Sequence, residues 1–186
     1  MRKSHARKSY ARMAAIIAVA LALSGTAALA APQEGKKGTG LPVPRFVSLK
    51  TDRVNLREGP SKDHRTAWVF QRAGLPVEIV AEYETWRRIR DAEGTEGWVL
   101  HSLLSGRRTA LVMARAKGDP EPVPLYERAD ERGDVVAKLQ PNVIASVKQC
   151  TGSWCRIVVV PGSGRDLDGF IRQDRVWGVY PGERVE

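Results

Sequence analysis

The chain has 186 residues, enough for one ordinary domain or two small ones. Charged residues make up 27% and aromatic residues 6%, which is typical of a globular protein. The formal net charge is +9, but residues 1–30 carry five basic side chains and no acidic one. The remaining residues hold 25 basic against 21 acidic side chains, a net charge of +4. This balance excludes a polycation of the kind that coats nucleic acid.

Residues 1–30 have the layout of a secretory signal peptide. Basic residues precede the apolar run Met13–Leu23, and small residues at Ala28 and Ala30 suit a signal peptidase, so cleavage is predicted between Ala30 and Ala31. The alternative is a membrane anchor, but the run is shorter than the roughly 20 residues that span a bilayer. No cysteine stands directly after the run, near the predicted cleavage site, which argues against a lipoprotein anchor. We expect an exported protein, periplasmic in the first place, with an extracellular location as the alternative.

Residues 31–45 are predicted to form a flexible linker. They hold almost nothing that a core would bury, and Pro42 and Pro44 stiffen their end. Such a segment can reach a partner, but it is more often a plain spacer.

Short runs of β-forming residues, separated by turn signals, indicate an all-β unit after Phe46. No sustained 3.6-residue period occurs between Phe46 and Ser105, so no long helix is expected there. A short 3₁₀ turn is expected at 101–104. The predicted strands are Val54–Leu56, Ala67–Gln71, Val77–Glu82, Trp86–Asp91 and Gly97–Leu100. So many short strands in one small segment favour a curled barrel, which hides the strand edges.

Three motifs in this region resemble those of bacterial SH3-like domains. They are the Asn-aliphatic-Arg-x-Gly-Pro opening within Val54–Ser61, the mid-domain Trp86, and the late Gly97–Val99. The resemblance implies a small barrel that binds and does not catalyse. Domains of this kind are common in exported, envelope-associated proteins, and they are often linked to recognition of cell-wall peptides or protein partners.

The rest of the chain repeats this plan in diverged form. The corresponding segments are Val54–Glu58 with Val123–Glu127, Phe70–Gln71 with Leu139–Gln140, Trp86–Ile89 with Trp154–Ile157, and Gly97–Val99 with Gly169–Ile171. Their nearly constant offsets of 69, 69, 68 and 72 residues indicate an internal repeat. The second copy has lost Gly59-Pro60 and has Phe170 in place of Trp98. The first copy is therefore the better candidate for a binding unit.

The repeat predicts two SH3-like barrels in tandem, at residues 46–106 and, in divergent form, 107–182. The connection at 107–115 is short and partly apolar, and it could itself supply the first strand of the second barrel. We therefore expect the two barrels to pack closely.

Alignment of the two copies places Cys150 and Cys155 at the positions of Glu82 and Arg87. One copy thus holds two cysteines where the other holds an opposite-charge pair, as expected for cross-strand neighbours. An oxidising compartment permits disulfides. We predict a Cys150–Cys155 disulfide that braces a hairpin, with a redox-active pair as the alternative.

No sequence motif of a known catalytic, phosphate-binding or metal-binding site is present. His64 and His101 are interpreted as surface or capping residues. Neither a cofactor nor a metal is expected, and an enzyme is the least favoured class.

Aromatic and cationic residues supply the binding candidates. Trp68, Tyr83, Trp86 and Arg88 could line a groove, because aromatic faces suit sugars and prolines while arginines suit carboxylates. The competing interpretation places Trp86 and Trp98 in the barrel core and the arginines on an exposed strand face. Trp68 and Tyr83 are the more open cases.

The sequence therefore predicts a non-catalytic exported binding or adaptor protein. Its expected partner is cell-wall peptide, that is peptidoglycan, or an envelope protein, and not nucleic acid. The mature form is not expected to span a membrane. The alternative is a structural or self-associating scaffold without a ligand groove, and a more remote one is an enzyme of an unrecognised class.

Overall fold

The computed structural model describes residues 38–116 and 118–186. Within these ranges the protein is all-β with two sheets, which confirms the predicted fold class of two SH3-like barrels. The predicted signal peptide with its cleavage site at Ala30 and Ala31 lies outside the described residues. In the described part no helix is long and apolar enough to cross a membrane.

The first barrel is a seven-stranded antiparallel sheet in the order β3-β2-β6-β5-β4-β1-β7. Its strands are β1 (Arg45–Leu49), β2 (Val54–Arg57), β3 (Thr66–Phe70), β4 (Pro76–Tyr83), β5 (Trp86–Arg90), β6 (Glu96–Leu100) and β7 (Leu104–Ser105). The five predicted strands correspond to β2–β6, and the predicted 3₁₀ turn lies at His101–Leu103. The sequence prediction lacks β1 and β7.

Alternation along the strands builds the core of the first barrel. On β2, Val54 and Leu56 are fully buried while Asn55 between them is exposed. Apolar side chains from the other strands meet them, as the two-residue period of a strand requires. The core consists of Val47, Leu49, Val54, Leu56, Phe70, Val77, Ile79, Ile89 and Val99.

The second barrel repeats this order as β10-β9-β13-β12-β11-β8-β14, and a short last strand, β15, pairs with β11. Its strands are β8 (Thr109–Val112), β9 (Val123–Tyr126), β10 (Val135–Leu139), β11 (Ile144–Thr151), β12 (Trp154–Val159), β13 (Leu167–Arg172), β14 (Val176–Trp177) and β15 (Arg184–Val185). A separate apolar cluster forms its core. The connection after the first barrel does supply the first strand of the second, β8.

β-Bulges at equivalent positions in the two barrels support the internal repeat. Val80 is an extra residue in the β4–β5 ladder, and Lys148 is its counterpart in β11–β12. Ala67 and Val136 are the extra residues in β3 and β10. Bulges curve a sheet and raise its twist, so the two copies close in the same way.

A glycine allows β6 to approach β2, and its counterpart does the same in the second barrel. A Cβ atom at Gly97 would lie 2.6 Å from Leu56 Cγ, and one at Gly169 would lie 2.7 Å from Leu125 Cγ. No side chain fits in this space. The Gly-Trp-Val motif of the sequence thus begins with a glycine that the close approach of β6 to β2 requires.

The predicted disulfide is confirmed. Cys150 on β11 faces Cys155 on β12 across the ladder, and their sulfur atoms are bonded. In the first barrel Glu82 faces Arg87 in the same way, with Arg87 Nε 3.1 Å from Glu82 Oε1 and both side chains buried. The aligned pairs are therefore cross-strand neighbours, as the repeat indicates.

The end of the predicted linker contacts the first barrel. The Thr39 backbone N–H donates to Glu82 Oε2 at 2.6 Å, and the Thr39 hydroxyl donates to Glu82 Oε1 at 2.9 Å. Arg45 also donates to this carboxylate. The sequence does not predict this contact, because the composition of residues 31–45 is that of a spacer.

The two barrels pack closely, which confirms the expectation drawn from their short connection. The buried Thr109 hydroxyl donates to the Gly74 carbonyl at 2.7 Å, and Arg72 donates to the Asn142 carbonyl at 3.0 Å. Each bond joins one barrel to the other, so the described barrels share an interface.

Reduction of the Cys150–Cys155 bond is expected to lower the free energy of unfolding by about 2 kcal/mol, because a small closed loop restricts the unfolded chain modestly. Urea denaturation with and without reductant measures the change. Reductant should leave a Cys150→Ala/Cys155→Ala variant unaffected. An unchanged curve for the reduced wild-type protein would show that the bond contributes nothing.

Thr109→Val should destabilise the protein by about 1–2 kcal/mol, since it leaves the buried Gly74 carbonyl without its donor. The matched control is Thr51→Val, whose hydroxyl donates to the Arg53 carbonyl at the surface. Its effect should stay within about 0.5 kcal/mol. Equal effects of the two substitutions in urea denaturation would contradict a shared interface at Thr109.

Candidate functional site

The candidate site lies on the outer face of the first barrel. Along β5, Arg87 and Ile89 are buried on the inner side of the sheet. Because successive side chains of a strand point to opposite faces, Trp86 and Arg88 lie on the outer side.

Cross-strand pairing gathers aromatic residues on this side. Tyr83 lies opposite Trp86, and Trp98 lies opposite Arg88. The rings of Tyr83 and Trp98 meet edge to face, with centroids 6.5 Å apart. Such edge-to-face contacts stabilise an aromatic pair beyond the area it buries. We call Tyr83, Trp86 and Trp98 together the aromatic face.

Trp86 is buried, as the interpretation of this residue as barrel core expects, whereas Trp98 is not fully buried. Trp86 is only 7% exposed but does not belong to the inner apolar cluster. Trp98 is half-buried and contacts Tyr83 on the outer side. Their large rings cover the outside of the sheet, a position that hydrophobicity alone does not distinguish from the core.

Trp68 is the one sequence candidate that lies apart from the aromatic face. It pairs with Leu56, whose side chain points inward, so the two share the inner side of the sheet. β3 is an edge strand, and the Trp68 ring is 59% exposed there. The structure therefore brings Tyr83, Trp86 and Arg88 together but not Trp68.

A cavity of about 280 Å³ adjoins Trp86, and we call it the basic cavity. Its lining residues are Arg53, Asn55, Arg57, Lys62, Trp86, Leu100 and Leu103. Except for Trp86, sequence reasoning did not select these residues. Asn55 and Arg57 belong to the Asn-aliphatic-Arg-x-Gly-Pro opening motif, which is the sequence feature that could have pointed to them.

The basic cavity carries positive charge without compensation from its own lining. Arg53, Arg57 and Lys62 line it, and no acidic residue does. The Arg57 guanidinium donates to the His64 carbonyl at 2.6 Å, which orients it. Among the described residues neither Arg53 nor Lys62 has an acidic partner within salt-bridge distance. A cavity of this kind suits a carboxylate whose attached apolar group contacts Trp86.

Arg88 lies on the outer face but is paired. Its guanidinium is 2.8 Å from Glu96 Oε2, and both side chains are solvent-accessible. Water screens such a pair, so it contributes little to stability. Arg88 therefore brings less free positive charge to the site than the residues of the basic cavity.

Glu82 anchors the hairpin that carries Tyr83 and Trp86. Burial acts to raise the pKa of Glu82, but hydrogen bonds from Arg45 and Thr39 and the charge of Arg87 lower it below its ordinary value of 4.5. The carboxylate is thus held in its charged form. Its contacts fix the hairpin beneath the aromatic face.

The histidines take the surface positions expected from the sequence. His64 is exposed and its ring packs over Gly59, while His101 begins the 3₁₀ turn, its backbone N–H donating to the Thr85 carbonyl at 2.9 Å. Within residues 38–116 and 118–186, no group of His, Cys, Asp or Glu side chains could hold a metal ion.

The equivalent face of the second barrel is organised differently. Trp154 corresponds to Trp86, and Tyr126 meets its ring edge to face at 5.6 Å. The Arg172 guanidinium lies 5.5 Å from the centre of the same ring, a cation–π contact. Arg172 occupies the position of Leu100, so a side chain covers the second tryptophan where the first barrel leaves a cavity.

Comparison with known proteins identifies both barrels. The sequence pattern of the family described as bacterial SH3 domain matches residues 50–106 and 119–178. None of the curated proteins matches the chain.

Two solved structures show a distant likeness. The structure of NlpC2 from Trichomonas vaginalis is 12% identical with a TM-score of 0.32, over 74% of this chain and 49% of that chain. The structure of NlpC1 from Trichomonas vaginalis is 14% identical with a TM-score of 0.31, over 75% of this chain and 47% of that chain. The chain thus spans about half the length of either protein. A likeness at this level carries no functional argument.

Glu82→Gln should lower the free energy of unfolding at pH 7 by about 3 kcal/mol, because it leaves buried Arg87 without its counter-charge. Since folding lowers the Glu82 pKa, the carboxylate stabilises fully above the unfolded value and loses this effect as pH falls through the folded value. The difference between wild type and variant should therefore shrink below about pH 4.5.

The matched control is Glu58→Gln, which removes an exposed carboxylate paired with Arg65. It should change stability little at any pH. Urea denaturation across pH 2–8 measures both variants. A Glu82→Gln deficit that stays constant down to low pH would contradict the buried ion pair.

Proposed function

This chain belongs to the bacterial SH3 domain family, and we propose that its first barrel binds the acidic peptides of the bacterial cell wall. The observation that carries the proposal is the basic cavity beside the aromatic face. Arg53, Arg57 and Lys62 offer positive charge to a carboxylate, and Trp86 offers an apolar surface next to it. The role is that of a non-catalytic binding or adaptor protein.

The chemistry of cell-wall peptides fits this combination. They are short, they carry free carboxylates, and much of their remaining surface is the methyl group of alanine. A guanidinium binds a carboxylate through paired hydrogen bonds, and an ammonium binds it as a point charge. A small apolar group packs well on an indole ring.

The side chains of the basic cavity support binding over chemistry. Arg53, Arg57 and Lys62 make the lining cationic, so it attracts an anion. Asn55 adds an amide that can bond to the anion, and Leu100 and Leu103 add apolar surface beside Trp86. The cavity thus has the means to hold an anion, which supports binding as its role.

Export to the cell envelope completes the proposal. The layout of residues 1–30 favours passage through the secretory route, and the Cys150–Cys155 disulfide suits an oxidising compartment. The periplasm is the location that brings such a protein to the cell wall. An envelope protein with an acidic segment would use the same cavity.

Arg57→Gln/Lys62→Gln should weaken binding to purified cell-wall sacculi by at least about tenfold, because each lost charged contact contributes about 1.5 kcal/mol. The matched control is Arg132→Gln/Lys138→Gln, which removes the same charge from exposed positions of the second barrel. Co-sedimentation in low-salt buffer measures both.

Equal losses for the two double variants would mean that net charge, and not the basic cavity, governs binding. If the wild-type protein neither sediments with sacculi nor is captured by envelope proteins, the proposal is wrong. That outcome would favour the structural or self-associating alternative.

A further inference from the structure

Three side chains form a row across the outer face of the first barrel. Arg57 on β2 lies opposite Trp98 on β6, and Trp98 in turn lies opposite Arg88 on β5. Residues paired across an antiparallel sheet share one face, so the indole stands between two arginines. We call Arg57, Trp98 and Arg88 the arginine–tryptophan row. Its first member also lines the basic cavity, so the row leads from that cavity across the sheet.

All members of the arginine–tryptophan row are accessible to a ligand. Arg88 is exposed, and Arg57 and Trp98 are half-buried. Neighbouring strands lie about 5 Å apart, so the backbones of the two arginines are separated by about 10 Å. An extended peptide of about three residues spans this distance. The row therefore has the length to receive one short peptide, with an acidic group at each arginine and the middle of the peptide on the indole ring.

The two arginines of the row differ in what holds them. Arg57 Nη1 donates to the His64 carbonyl at 2.6 Å, and no acidic side chain among the described residues lies within salt-bridge distance of it. Arg88 instead contacts a carboxylate of this chain, with Nη2 2.8 Å from Glu96 Oε2. Glu96 thus takes the place at Arg88 that the carboxylate of a ligand would take. Because both side chains are accessible to water, this pair is weak and a ligand displaces it at small cost.

The second barrel retains only part of this arrangement. At the equivalent positions, Tyr126, Phe170 and Arg156 pair across its sheet. Arg156 donates two hydrogen bonds to Asp168, at 2.9 and 2.8 Å. Since a tyrosine replaces Arg57, this row offers one cation where the first barrel offers two. Its arginine–carboxylate pair is therefore a matched control for Arg88 and its partner.

We propose that the arginine–tryptophan row binds a peptide that carries two carboxylates. One carboxylate binds at Arg57 beside the basic cavity, and the other replaces Glu96 at Arg88. The apolar part between them lies along the aromatic face at Trp98. This inference rests on the proposed function of the first barrel and adds to it the number and spacing of the acidic groups. The row selects a dicarboxylate because a ligand with one carboxylate leaves one arginine unused.

The test compares two peptides that differ in one carboxylate. N-acetyl-glutamyl-alanyl-alanine has a side-chain carboxylate and a terminal one, and N-acetyl-glutaminyl-alanyl-alanine has an amide in place of the first. Isothermal titration calorimetry of the protein, expressed from its full-length chain, measures the dissociation constant of each peptide in low-salt buffer. The wild-type protein should bind the dicarboxylate about three- to tenfold more tightly, because the added contact is charged and partly exposed.

Substitutions at the pair formed by Arg88 and Glu96 should change this preference. Arg88→Gln should remove it, so that the two peptides bind alike. Glu96→Gln should strengthen dicarboxylate binding about two- to fivefold, because it removes the carboxylate that competes with the ligand. The matched controls Arg156→Gln and Asp168→Asn alter the equivalent pair of the second barrel and should leave the preference as in the wild type.

Equal affinity of the wild-type protein for the two peptides would overturn this inference, and so would a preference that survives Arg88→Gln. In both cases the proposed function stands if Arg57→Gln/Lys62→Gln still weakens the binding of both peptides. The proposed function itself is wrong if the wild-type protein binds neither peptide, or if Arg57→Gln/Lys62→Gln leaves both affinities unchanged. The inference about two carboxylates then fails with it.

Discussion

The buried ion pair between Glu82 and Arg87 sets the register of the β4–β5 hairpin, and the candidate site depends on that register. A shift of one residue would turn every side chain of β5 to the opposite face. Ile89 would then leave the core, and Trp86 would enter it. In the observed register Arg87 lies beside Glu82, and a pairing that separated them would leave the buried Arg87 guanidinium without this counter-charge.

The two barrels use the same hairpin and different means of holding it. Covalent bonding of Cys150 to Cys155 replaces the ion pair in the second copy and leaves no charge to compensate. The outer faces then diverge, because Arg172 covers Trp154 in the second copy while the first keeps an open basic cavity. The two copies thus share one fold and differ in what covers the equivalent tryptophan.

Much of the fold follows from the sequence, because alternation, turn residues and the repeat all indicate the same strands. The internal repeat also predicts that Cys150 and Cys155 are neighbours, because equivalent positions in two copies of one fold have equivalent neighbours. The placement of Trp86 could not be predicted, because a large ring is buried equally well on either side of a curved sheet. The basic cavity could not be predicted for another reason. Arg53 and Lys62 lie in loops, and the strand pattern of a sequence does not determine where loop residues lie.

The central claim is that the basic cavity of the first barrel receives the ligand. An experimental structure of the protein with a soluble cell-wall peptide bound tests it most directly. The account predicts a peptide carboxylate at hydrogen-bond distance, about 3 Å, from Arg57 or Lys62, with an apolar group of the peptide on Trp86. A peptide bound against Trp154 of the second barrel, with the basic cavity empty, would contradict it.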